Sequence, residues 1–190
     1  MRASLEAVEV AEAIGNTYSQ LWGSAALGMT CFLNGDHGAS EEHLSDALAQ
    51  ARSAGTGLDY EALFLAVLAD SCLARDGIQA AIDKSREAIN AADAGGAWFQ
   101  GALARAVMID ALVRSSAPES EIKAVIAAAR ELVHKSGGNS LLPRLREVEA
   151  RLDGRSDRNT LQAGLRAAEA MYRAMGAPDP ADRLIKELAS

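Results

Sequence analysis

Apolar residues recur along this chain at helical spacing, in blocks separated by short turns carrying glycine, asparagine or aspartate. Residues 17–33, TYSQLWGSAALGMTCFL, read as one helix, broken by the turn Asn34-Gly35-Asp36-His37-Gly38. Residues 40–54 read as its partner, with Leu44, Ala47, Leu48 and Ala51 on one face. A second unit follows. Its first helix covers 58–74, with Leu63, Ala66, Val67 and Leu73 on one stripe; after Arg75-Asp76-Gly77 its second helix runs to 93. Asp76 and Gln79 match a capping box at that start. The third unit places helices at 97–114 and up to 135. Ser116 and Glu119 form the capping box, and Pro118 lies in the first turn, where its missing N–H costs nothing. The fourth has helices at 140–152 and 159–175, with Pro143 near the first start and a turn at 153–156. A last, more charged helix begins at Asp179-Pro180, read as N-cap and first helical residue, and caps the open end.

The units keep a common period. Gly15, Gly55, Gly95, Gly137 and Gly176 are 40, 40, 42 and 39 residues apart, and each ends a helical run. Self-similarity at this interval signals stacked repeats. The fold expected is all-α: a right-handed superhelical stack of antiparallel helix pairs, an α-solenoid of about nine or ten helices with a period near 40. The units are 16–55, 56–95, 96–137 and 138–176, with a capping helix at 177–190. Residues 1–15 match the end of a second helix whose first helix is missing. They read as an orphan from a preceding repeat, so the chain is expected to be cut from a longer solenoid; a natural N-terminal capping helix is the alternative.

Composition narrows this further. Hydrophobic residues make up 49% and aromatics only 4%, with alanine filling much of the apolar share. Small side chains let helices approach closely, whereas a β-sandwich needs bulky β-branched and aromatic residues. The formal net charge of -7 argues against nucleic-acid binding, which needs a basic face. No apolar run approaches the ~18 residues of a membrane span, and the acidic N-terminal stretch is not a signal peptide. A cytoplasmic protein is expected. Cys31 and Cys72 hold near-equivalent places in successive units and read as small core residues.

Part of the first unit resembles a tetratricopeptide repeat. Leu27-Gly28, then Asn34-Gly35-Asp36, then Leu44 and Ala47 fall at that family's spacing, although its period of about 34 residues is exceeded. Later units have Val67-Leu68 and Val107-Met108 at the Leu-Gly position. The end AEAMYRAMGAPDPADRLIKEL is similar to the C-terminal helical tails of large bacterial signalling proteins. Those proteins join a nucleotide cyclase or a DNA-binding domain to a central ATPase. The resemblance implies a regulatory or interaction tail.

Catalytic motifs are missing: there is no phosphate-binding loop, no dinucleotide fingerprint, no HExxH and no GxSxG. His37, His43 and His134 read as ordinary surface residues; no metal and no cofactor are expected. Asp70 and Asp110, 40 apart inside apolar runs, either face one groove that could hold a basic peptide or mark the solvent edge of their helices. The second reading is favoured. Acid/base catalysis by the two is a remote third class. Residues 144–158, with five arginines and four acidic residues, read as a solvated helix face. Aromatic and charged residues on the first helices of the units are the binding candidates: Tyr18, Trp22 and Trp98 with Asp59, Arg105 and Arg144. For Trp22 and Trp98 the competing reading is a wedge between repeats. The function expected is a non-catalytic scaffold for a protein or peptide, possible partners including an attached ATPase or cyclase region and a second copy of the chain. A small-molecule sensor is the alternative.

Overall fold

The computed structural model describes residues 6, 8–10, 13, 15–155 and 157–189. Among them every regular element is helical. Helices α1 (Thr17–Leu33), α2 (His37–Ala54), α3 (Glu61–Ala74), α4 (Ile78–Gly95), α5 (Trp98–Arg114), α6 (Glu119–Ser136), α7 (Leu142–Asp153), α8 (Arg158–Ala174) and α9 (Pro178–Leu188) follow in order. Single 3-10 turns at Leu58–Tyr60 and Asn139–Leu141 lead into α3 and α7. Of the orphan helix expected at 3–14, residues 6, 8–10 and 13 are described and helical; the others lie outside the described residues.

Helices adjacent in sequence pack on each other throughout, and α3 also packs on α5, and α5 on α7. The contacts are built from small residues. Ala25, Ala47, Ala51, Ala66, Ala69, Ala102, Ala106 and Ala111 are wholly buried, which brings backbones together without a gap. Gly28 shows why the Leu-Gly pair is there: a Cβ on it would lie 2.7 Å from Leu44 Cγ and 3.1 Å from the Leu44 backbone nitrogen of α2. Larger side chains, among them Phe64, Ile109, Leu145 and Leu165, fill the layers between. Helix α3 does not bury the single stripe expected of it. It buries Ala62, Phe64, Leu65, Ala66, Leu68, Ala69, Ser71 and Leu73, because α2, α4 and α5 all pack against it.

The period glycines end the second helix of each unit. Gly55 and Gly137 are C-caps in the left-handed region, at φ 62° and 66°. In the third case Gly96, and not Gly95, takes that conformation, at φ 66°.

The turn inside each unit corrects the capping assignments. Gly35, Asp76 and Ser116 stand at matched places and all have positive φ, at 80°, 60° and 58°. Asp76 and Ser116 therefore occupy the left-handed turn position and are too early to cap the next helix. Gly77 and Pro118 are the N-caps there, without side-chain hydrogen bonds. In the first unit the turn residue is Gly35, which leaves Asp36 free to cap α2 by accepting from the Ala39 N–H at 3.1 Å. Helix α9 begins two residues earlier than expected: Ala177 is the N-cap and Pro178 leads the helix.

Candidate functional site

Side chains from α1, α3, α5, α7, α8 and α9 open onto one groove of about 650 Å³. Phe32 comes from α1 and Asp70 from α3; Asp110 and Arg114 come from α5. Helix α7 contributes Arg144, Glu147, Val148 and Arg151, and α8 and α9 close the far end with Tyr172, Arg183 and Glu187. Among the described residues, the lining takes nothing from α2, α4 or α6. On this face a side chain of α3 meets a side chain of α7 across the intervening α5.

That meeting is the ion pair of Asp70 and Arg144, 74 residues apart. The two guanidinium nitrogens of Arg144 donate to the two carboxylate oxygens of Asp70, at 2.5 and 2.7 Å. The side chains are 22% and 19% exposed. Burial works against the charge of Arg144, but the Asp70 carboxylate outweighs it, and the guanidinium holds its proton more firmly than in water. A second network joins α7 to the terminal helix. Glu147, almost fully buried, accepts from Arg151 on its own helix at 2.9 Å and from Arg183 on α9 at 3.0 and 2.7 Å. Arg151 also donates to Glu187 at 2.6 and 2.9 Å. Burial alone would raise the Glu147 carboxyl; the two arginines more than reverse this and hold it below the usual carboxylate range. Tyr172, beside it, is pushed up to about 12 by burial and by the Glu147 charge.

Asp110 differs from these. Its nearest cation is Arg114 Nε at 3.6 Å, too long for a hydrogen bond. Arg114 instead donates to the Leu73 carbonyl oxygen at 3.1 Å, which fixes its guanidinium at the end of α3. The Asp110 side chain is 19% exposed, as that of Asp70 is.

The expected binding residues do not converge. Arg144 lines the groove. Trp22 packs edge-on against Tyr60 at 4.5 Å and Phe64 at 5.9 Å, in the core between α1 and α3. Arg105 turns toward α4 and pairs with Asp93 at 2.8 Å. Asp59 is exposed in the 3-10 turn before α3. Tyr18 and Trp98 are exposed at the first turns of α1 and α5, at 47% and 51%; Leu58, midway between them in sequence, is 45% exposed. These three stand 40 residues apart in the chain, and none of them lines the groove.

Three further expectations are corrected. Asp70 and Asp110 are not at the solvent edge of their helices; both line the groove. The arginine-rich run is not a uniformly solvated face, because Arg144, Glu147 and Arg151 point inward while Arg130 of α6 holds Glu149 on the opposite side at 2.7 Å. His37 is not in a turn but opens α2, with its ring 5.4 Å from that of Phe32. Burial raises the Cys31 and Cys72 thiols, the second also through Glu41. Residues missed at the level of sequence are Arg114, Glu147, Arg151, Tyr172, Arg183 and Glu187. The i,i+4 spacing of Glu147 and Arg151 was visible; their partners 36 residues away on α9 were not.

No protein-family model matches the chain, and comparison with curated proteins and with solved structures gives no match.

Proposed function

We propose that this chain is a non-catalytic binding module: a right-handed, tetratricopeptide-like stack of helix pairs that holds a protein or peptide on the face formed by α1, α3, α5 and α7. The observation that carries the reading is the groove itself. It draws side chains from six helices across most of the chain, and eight of its eleven lining residues are charged, four of each sign. Such a surface suits a partner with polar and charged groups spread along its length. Three of the four carboxylates are committed to arginines by hydrogen bonds, so they act as preorganised structure and not as a general acid or base. The resemblance of the C-terminal stretch to the tails of bacterial signalling proteins supports a regulatory role beside an attached ATPase or cyclase. A volume of about 650 Å³ also suits a small polar molecule, which keeps ligand sensing as the second reading.

The test is selection of random peptides on the immobilised chain, followed by mapping of the bound peptide through backbone amide shifts. Perturbation centred on Asp70, Asp110 and Arg144 is expected. Selected peptides that perturb only α2, α4 and α6, or a library from which nothing is enriched, would remove the scaffold reading. A melting temperature raised by a small polar metabolite in place of peptides would favour the second.

A further inference from the structure

We infer that Asp110 is the anchor for a basic side chain of the bound peptide, seated on it as Arg144 is seated on Asp70. This rests on the scaffold reading above. Asp70 and Asp110 stand 40 residues apart, at matched places on α3 and α5, and their side chains are equally exposed. The fold supplies Asp70 with a guanidinium, which approaches from α7 and donates two hydrogen bonds. Among the described residues, none donates a hydrogen bond to Asp110. A carboxylate four-fifths removed from water has lost much of its hydration, and a donor cation is what restores the balance.

The nearby arginines do not fill that place. Arg114 is held by the Leu73 carbonyl, with its Nε 3.6 Å from Asp110. Arg144 has both terminal nitrogens on Asp70, and it senses Asp110 only through space. Arg151 and Arg183 are committed to Glu147 and Glu187 on α7 and α9. An anionic ligand reaching Arg144, Arg151 or Arg183 would compete with a carboxylate already bonded there, and one reaching the unbonded Nε of Arg114 would meet the Asp110 charge 3.6 Å away, whereas a cation finds an open acceptor. The net charge of -7 adds a long-range field of the same sense.

The experiment uses the full chain and four probes: acetyl-Ala-Ala-Arg-Ala-Ala-amide, the same peptide with citrulline or with glutamate in place of arginine, and free agmatine. Citrulline keeps the shape of arginine and removes its charge, so the comparison needs no protein variant. The arginine peptide should bind about tenfold more tightly than the citrulline peptide, equivalent to about 1.4 kcal/mol. Asp110→Asn should abolish that difference, and helicity by circular dichroism should be retained because Asp110 accepts no hydrogen bond to lose. Equal binding of the arginine and citrulline peptides, no measurable binding of either, or a difference that persists in folded D110N overturns the inference. Preference for the glutamate peptide would make the groove an anion site. Agmatine bound as tightly as the peptide would make it a small-cation site. Peptides lacking any basic residue that still map to the groove would refute the role of Asp110 while sparing the scaffold reading.

Discussion

The ion pair between α3 and α7 should be a measurable strap across the groove. Asp70→Asn removes the charge partner of Arg144 with little change of shape. Breaking a fully buried pair costs about 3–5 kcal/mol, and a hydrogen bond to a charged group is worth about 1.5–3 kcal/mol. Both side chains here are about one-fifth exposed, so solvent screens the orphaned charge, and a loss of about 2 kcal/mol is expected. Arg144→Met, which keeps much of the apolar stem, should cost about the same by leaving Asp70 alone. The double variant loses both charges together, and its cost should also be about 2 kcal/mol, giving a coupling of about 2 kcal/mol. For a chain of this length each single variant should then melt about 4–8 °C lower. Urea unfolding of the four proteins, followed by circular dichroism, reads the cycle. A coupling below about 0.5 kcal/mol would refute the reasoning, because it would mean that the pair is no more than two independent surface charges.

Gly164 of α8 faces α7 so closely that a Cβ would overlap that of Ala150 and lie 3.1 Å from its Cα. Overpacking costs about 1–3 kcal/mol, and removing a helical glycine returns about 1 kcal/mol, so Gly164→Ala should lose up to about 2 kcal/mol by urea titration; a gain in stability would show that the helices separate freely. The depressed carboxyl of Glu147 makes a prediction about acid. Its contribution is present above the unfolded value of about 4.3 and disappears as pH falls through the lower folded value. The urea midpoint should drop as pH falls below about 4.3, and less steeply in Glu147→Gln; parallel profiles for the two proteins would sink the assignment.

The helices were legible because their cause is local. Apolar residues at 3–4 spacing, few β-branched interruptions and a glycine every 40 residues suffice to place α1 through α9 within a few residues of where they lie. Gly55 and Gly137 mark helix ends because only a residue without Cβ enters the left-handed region freely, and that requirement is written in one position. The capping boxes at Asp76 and Ser116 failed for a related reason: the turn consumes a residue with positive φ, and sequence spacing alone does not tell an αL position from a cap.

The groove was only half legible. That Asp70 and Asp110 share a phase is a fact of sequence, but whether that phase points to solvent or inward depends on how α3, α5 and α7 pack on one another, and those contacts join residues far apart in the chain. Trp22 and Arg105 had the right residue types for binding, yet a rotation along the helix sends one into the aromatic cluster with Tyr60 and Phe64 and the other toward Asp93. By itself the sequence determined the helices, their repeat and the supply of small residues for their contacts, all consequences of local spacing. Only the tertiary structure decided that Arg144 satisfies Asp70 across 74 residues and that Asp110, its counterpart one unit on, receives no hydrogen bond, because that distinction arises from three helices meeting in space.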